Sequence, residues 1–339
     1  MNSHIPRIHK YLFWLTLGLI STFFAEVISS ADLFPFFHTW GIFLIVPSYL
    51  LHTVVLTTLI FRFGRPTLPV LYFTGTIFGL YEAYITKILW NPIGEDIIKL
   101  GEVAVFEVLV LVFFWHAWMS FIVPLLVSEK WLTGSTDIRS NLQRPIQKLL
   151  TGHRGWIFLA IGGGFFVSIQ APSVSDALLS TAGSALVLGF SGWLWQRLTR
   201  NRQNTIEDLL PNRRELFFLL TLLIGFYIWT GFYLRPEAYP PLMGHVIIWI
   251  LYTLCILFLI IALKASRSQI NDTIIVSSIP LPSRFLWLKY LLVYVLTLII
   301  AITILKPLSG LIGLIGWFGV GILGLISLIW MLRSMKLPS

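Results

Sequence analysis

Residues 244–263 read GHVIIWILYTLCILFLIIAL, twenty positions without a Lys, Arg, Asp or Glu. At about 1.5 Å of rise per residue, a helix of this length covers roughly 30 Å, the thickness of a bilayer's hydrocarbon core. The pattern recurs outward in both directions. Apolar runs near 11–30, 40–61, 67–89, 102–127, 155–171, 177–196, 216–234, 244–263, 285–305 and 308–332 predict ten spans separated by short charged stretches. Across 339 residues, 57% are hydrophobic and 12% charged, whereas soluble domains carry about 25% charged residues. That balance excludes a soluble domain, a disordered chain and a helix lying on the membrane surface. The expected fold is all-α: a polytopic transmembrane helical bundle forming a single integral membrane domain over 1–339. Cys255 is the single cysteine and lies inside the quoted run, so intramolecular disulfides and thiolate metal cages are excluded by count.

Ten spans put both termini on one side, and basic residues then assign that side. Cytoplasmic loops hold most Lys and Arg. Twenty of the 24 fall on the side of the termini, and only Lys87, Lys99, Arg235 and Lys306 fall on the other. Both termini are therefore expected to be cytoplasmic, in the cytoplasmic membrane of a prokaryote. The +9 net charge is a topology signal here, and no nucleic-acid partner is expected. The basic start, Met1 to Lys10, leads into the first run without a convincing small-x-small cleavage site and reads as a retained helix.

An ionisable group inside a span is costly against lipid and needs a partner, a water-filled cavity or a function. These groups concentrate in helices 1–4 (about 11–127), which hold Glu26, His52, Glu82, Lys87, Glu107 and His116. A cytoplasmic linker (128–154) and six more apolar helices (about 155–332) follow. By rise, Glu82, Glu26 and Glu107 lie roughly 6, 9 and 12 Å to the outer side of the midplane, with His52 and His116 near it. On an α-helix His116 shares a face with Ser120, four residues on, and opposes Glu107, nine before. Burial disfavours the charged form of a carboxyl, which suits Glu82 to work as a general base or proton carrier with His116 as partner. Glu26, His52, Glu107, Lys87 and Ser120 complete a candidate proton or ion path. The alternatives are structural: a buried Glu82–Lys87 pair, and a core His116 packed among aromatics.

No metal or cofactor site is expected, since the chain has no Walker loop, no His-Glu-x-x-His pair and no Gly-x-Ser-x-Gly elbow. Pro47 and Pro124 fall inside spans and permit kinks. Gly310, Gly313, Gly316, Gly319, Gly321 and Gly324 form a stripe that admits another backbone. Helix packing within or between chains explains the stripe, and besides the lipid bilayer the expected partners are other membrane subunits or a second copy through this Gly310–Gly324 face.

Phe24-Ala25-Glu26-Val27, Gly79-Leu80-Tyr81-Glu82-Ala83 with Lys87 and Asn91-Pro92, and His116-Ala117 with Ser120, Val123-Pro124-Leu125-Leu126-Val127 and Glu129 resemble a family of uncharacterised prokaryotic multi-pass membrane proteins. The resemblance covers about the first 130 residues. It implies that Glu26, Glu82, His116, Ser120 and Glu129 belong to one pattern, in which Tyr81-Glu82 stands where the family typically has a Glu pair. A more distant, partial similarity is to CAAX-type intramembrane glutamate proteases, which carry Glu-Glu-x-x-x-Arg, Phe-x-x-x-His and His-x-x-x-Asn motifs. Glu82 and His116 match. Tyr81, Val112 and Ser120 depart from the first Glu, the Phe and the Asn, and no Arg follows Glu82 at the motif's spacing.

Three readings follow. The first is a transporter of a small solute or ion, proton-coupled through the Glu and His groups of helices 1–4. The second is an intramembrane enzyme acting on lipid or peptide with Glu82 and His116. The third is a non-catalytic subunit of a membrane complex.

Overall fold

The computed structural model describes residues 5–92, 98–143, 146–147, 152–199, 204–267 and 284–335. Each of the ten apolar runs is helical there, and strand is confined, among these residues, to one short hairpin, β1 (Lys99–Leu100) and β2 (Val103–Ala104). The helices are α1 (Arg7–Thr22), α2 (Val46–Phe63), α3 (Leu68–Gly79), α4 (Val123–Leu132), α5 (His153–Gln170), α6 (Val174–Leu198), α7 (Arg213–Tyr233), α8 (Leu242–Arg267), α9 (Arg284–Ile304) and α10 (Ser309–Ser334). Counting the π-helical extensions of α1, α2 and α4, seven segments among the described residues are long and apolar enough to cross a membrane. The protein is thus an all-α, multi-pass membrane protein. The run at 67–89 departs from expectation because α3 stops at Gly79 and only a single turn, Tyr81–Tyr84, follows it. Arg144, Lys148, Arg200, Arg202 and Lys336, used above for sidedness, lie outside the described residues.

Polar residues set the helix starts. Asn212 caps α7 by accepting from the amides of Arg214 and Glu215, while the Glu215 carboxylate accepts from the Asn212 amide. Ser173 caps α6 by accepting from the Asp176 amide. Such caps satisfy amides that the first helical turn leaves without partners.

Two compact units make up the chain, each drawn from three stretches: 1–54, 123–210 and 273–316 in the first, and 55–122, 211–272 and 317–339 in the second. The expected division into polar helices 1–4 and apolar helices 5–10 does not follow these units. In the first unit, Trp14 donates its indole N–H to the Leu209 carbonyl at 2.8 Å, and the Thr16 and Ser191 hydroxyls meet at 2.6 Å. Gly164 lets α5 approach α9 so closely that a methyl group there would lie 2.5 Å from the Tyr294 carbonyl oxygen.

Near the end of α4, the buried Glu129 side chain accepts from the amides of Ile138 and Arg139 at 2.6 and 3.0 Å, fixing the turn Asp137–Ser140 beyond it. That turn lies outside the spans and gathers acids. Burial, opposed by a hydrogen bond from Ser135 and reinforced by Asp208, raises the Asp137 carboxyl above its ordinary value of 3.8. Burial, Asp137 and Asp208 likewise raise Glu207. A raised carboxyl makes the folded state bind protons that the unfolded state has released, so its stabilising contribution is present at low pH and is lost as pH rises through the folded value. Asp137→Asn is therefore expected to gain thermal stability relative to the parent as pH rises from about 4 toward neutrality. A constant offset across a pH series of unfolding temperatures would contradict this.

In the second unit, Gly75 and Gly79 seat α3 against a 15-residue π-helix, Val108–Ile122. A methyl at Gly75 would lie 2.7 Å from Ala117 Cα, and one at Gly79 2.9 Å from Val112 Cα. The glycine stripe of α10 is partly used within this unit. A methyl at Gly324 would lie 2.1 Å from the Leu109 carbonyl oxygen, and Trp118 donates to the Ser327 hydroxyl at 3.1 Å. Gly310 and Gly319 have nothing within 4 Å of such a methyl.

Candidate functional site

The second unit brings Glu82 and His116 together. Glu82 lies on the turn Tyr81–Tyr84, just past the break after α3, and His116 lies midway along the π-helix. Glu82 Oε1 is 3.4 Å from His116 Nε2, with both side chains buried. The Tyr81 hydroxyl is 3.2 Å from the same nitrogen and also bonds to the Glu82 carboxyl. Thr86 donates its hydroxyl to Glu82 Oε2. The imidazole meets the Tyr81 ring edge-on at 5.1 Å between centroids and the Phe78 ring at 5.5 Å.

The hydrogen bonds restrict the proton positions. His116 Nδ1 is 3.0 Å from the Leu111 carbonyl, which can only accept, so Nδ1 carries a hydrogen. In a neutral imidazole Nε2 is then the acceptor, open to a proton from the Tyr81 hydroxyl or a protonated Glu82. Two protonation states follow: a neutral carboxyl beside a neutral imidazole, and a carboxylate beside an imidazolium. Exchange between them moves one proton over a short distance without changing the net charge of the buried pair. That property suits a low-dielectric interior, where an isolated charge is costly.

The π winding changes the expected faces. Its hydrogen bonds run from i to i+5, so the 3.6-residue register that set Ser120 beside His116 and Glu107 opposite does not apply over Val108–Ile122. Ser120 is buried within the π-helix, and Glu107 is half-buried on the turn just before it. π-Helical turns also flank the break between the first two runs, at Phe23–Val27 and Gly41–Ile45. Glu26 lies on the first of these and accepts from the Tyr49 hydroxyl at 2.5 Å, while His52 Nδ1 donates to the Ser48 carbonyl at 2.7 Å. Glu26 and His52 belong to the first compact unit, apart from the unit that holds Glu82 and His116.

Lys87 does not form the expected pair with Glu82. Its ammonium donates to the carbonyls of Thr230, Gly231 and Leu234 at the end of α7 and sits 4.8 Å from the centroid of the Tyr239 ring. The end of a helix presents carbonyls without intrahelical partners and a partial negative charge, so a cation is well placed there. The contact is reciprocated. Arg235, directly beyond α7, donates to the carbonyls of Thr86 and Asn91 at 3.0 and 2.9 Å. Both Lys87 (φ 57°) and Arg235 (φ 45°) adopt the left-handed backbone region, which is costly for residues with a Cβ. The clamp thus explains two of the four basic residues on the sparsely charged side.

Sequence reasoning singled out Glu82 and His116 but missed Tyr81 and Thr86 as partners. It also missed the cluster beside the clamp, where Tyr84, Trp90, Tyr239 and Trp249 surround His245. Among the described residues no group of three or more His, Cys, Asp or Glu is placed to hold a metal ion.

Residues 15–337 match a family described as an uncharacterized membrane protein family. The chain belongs to that family. A relative from Archaeoglobus fulgidus, described as an uncharacterized protein, is 36% identical over 262 residues, which are 77% of this chain and 80% of the relative. The family match therefore extends well beyond the first 130 residues that carried the resemblance, and it includes both compact units. No solved structure matches. The similarity to CAAX-type proteases finds no support among these matches.

Proposed function

We propose that this family member moves a small solute or ion across the membrane in exchange with, or together with, protons, and that Glu82 and His116 are the proton-exchange pair. The observation that carries this reading is the 3.4 Å approach of Glu82 Oε1 to His116 Nε2 in a buried setting. The broken helix supports it. Discontinuous backbone at membrane depth is tolerated where protein surrounds it or where it lines a cavity, and transporters place site residues at such breaks. Tyr81 bridges the pair. Glu107 and Ser120, in the same unit, are the further members of the path, whereas Lys87 serves the clamp. The same reading places the chain in a prokaryotic cytoplasmic membrane with both termini inside, supported by the twenty-to-four division of basic residues.

The test uses proteoliposomes loaded with a pH-sensitive dye and exposed to a panel of amino acids, organic acids and monovalent cations. A member of the panel is expected to change the internal pH, and Glu82→Gln and His116→Asn to abolish the change. Flux that persists in both variants overturns the assignment. Infrared difference spectra across a pH titration provide a readout independent of substrate: among the protonated-carboxyl bands of the parent, one is expected to be lost in Glu82→Gln while those of the other carboxyls remain.

A second reading is an intramembrane enzyme acting on lipid or peptide. The Tyr81 hydroxyl favours it, because a donor beside a Glu–His pair places a base and a hydrogen-bond donor within reach of one reacting group. Cleavage of a lipid or peptide by the reconstituted chain, lost in Glu82→Gln, would select this reading over transport.

A further inference from the structure

A second candidate site lies wholly within the first compact unit. A cavity of about 420 Å³ lies among α1, α4, α5, α6 and α9, lined by Phe24, Val127, Leu159, Ala160, Leu188 and Tyr294 among others. That volume falls within the range of ligand sites, about 300–1,000 Å³. Its lining is almost wholly apolar and includes Thr181 and Leu188, seven residues apart on α6, so it extends roughly 10 Å along that helix.

One end of the cavity is basic and aromatic. Trp131 and Trp156 line it there, and the Lys130 ammonium stands over the Trp156 ring at 5.0 Å. Trp156 also borders a second hollow, of about 20 Å³, together with Lys130, Arg139, Thr133, Ser135 and Glu129. Both Glu129 oxygens accept from the Ile138 and Arg139 amides, so this acid is engaged by backbone while Lys130 and Arg139 border the hollow together. Trp156 continues to Tyr290 (ring centroids 6.2 Å apart), whose hydroxyl is 2.9 Å from His153 Nδ1, and Lys289 lies 3.5 Å from His153 Nε2. Lys130 and Arg139 thus stand near this side of the apolar cavity, with aromatic rings between, beside the acids Glu129 and Asp137.

We propose that this unit binds a phospholipid, its phosphate held by Lys130 and Arg139 across the small hollow and one acyl chain lying in the cavity. The shape and chemistry match such an amphiphile: an apolar chamber of ligand size opens beside two cations. The hollow is too small to enclose a headgroup, so the phosphate would lie beside it, against Lys130 and Arg139, which line it. The tail passes from one apolar medium to another, so burial contributes little net preference. Selectivity rests on the headgroup charge, at about fivefold in affinity per basic residue near the membrane surface.

Native mass spectrometry of the full chain in detergent micelles tests this, with palmitoyl-oleoyl phosphatidic acid, phosphatidylcholine of the same chains and inorganic phosphate as probes. Phosphatidic acid is expected to be retained in preference to phosphatidylcholine. Lys130→Gln/Arg139→Gln is expected to weaken its retention by about 25-fold, and Ala160→Phe to weaken it with both charges intact. Thermal unfolding identifies variants that fail to fold, and Arg139→Gln alone then serves, with about fivefold weakening expected. Equal retention of the two lipids, an undiminished signal in the folded charge variants, or no loss in folded Ala160→Phe overturns the proposal. Displacement of phosphatidic acid by an equal concentration of inorganic phosphate also overturns it and identifies a site for the free anion.

Discussion

Lys87→Met is expected to lower the stability of the purified chain by about 3–5 kcal/mol. Methionine keeps an unbranched apolar stem but removes the ammonium, leaving the carbonyls of Thr230, Gly231 and Leu234 without their shared donor. Hydrogen bonds to a charged group contribute about 1.5–3 kcal/mol each, while the Thr230 carbonyl keeps the Leu234 amide and the Gly231 carbonyl keeps the Tyr239 hydroxyl as donors. The contributions are not additive, because one ammonium serves all three. The left-handed backbone at Lys87 would also lose the contact that offsets its strain. Equilibrium unfolding in mixed micelles measures the change, and a loss below about 1 kcal/mol would show that water replaces the ammonium.

Gly79→Ala is expected to cost about 1–3 kcal/mol in stability and to part Glu82 from His116. The added methyl would lie 2.9 Å from both Val112 Cα and His116 Cβ. The first contact is with backbone, so α3 and the π-helix must separate for it to fit. The same displacement carries His116 away from the turn that bears Glu82, and the infrared signature of the shared proton should shift even where the protein remains folded. Gly162→Ala is the matched control, since nothing lies within 4 Å of a methyl there. It should change stability by no more than the usual helix-interior preference for alanine, about 1 kcal/mol in the favourable direction. Equal effects of the two substitutions would remove close packing as the explanation.

The sequence made the ten helices legible because burial in lipid demands long apolar runs, and such runs need no knowledge of tertiary contacts. Glu82 and His116 stood out as candidates for a related reason: few ionisable groups enter the spans, and those that do need partners; whether the two meet was not legible. What escaped was geometry that depends on remote backbone. Lys87 is five residues from Glu82 and invited pairing with it, yet its acceptors are the carbonyls at the end of α7, which carry no side-chain signature. The π-helix at Val108–Ile122 also escaped, because apolar residues fill it at nearly every position and leave no periodicity to read. The spacing of Gly75 and Gly79 is the one local signal that was present but passed over, and it is where α3 meets that helix. Of the α10 glycines, read as helix packing within or between chains, Gly321 and Gly324 pack on Phe106 and Leu109 of the same unit.

The clamp at Lys87 also bears on how the protein is made. Its acceptors lie 143 to 147 residues downstream, and at roughly 5–20 residues per second a ribosome needs about 7–30 s to reach them. Throughout that interval the nascent segment carries an ammonium with no acceptor inside the bilayer, so it must wait at the lipid surface with its stem in the tails. Completion of α7 releases it. The second unit therefore cannot close its clamp until α7 has been made.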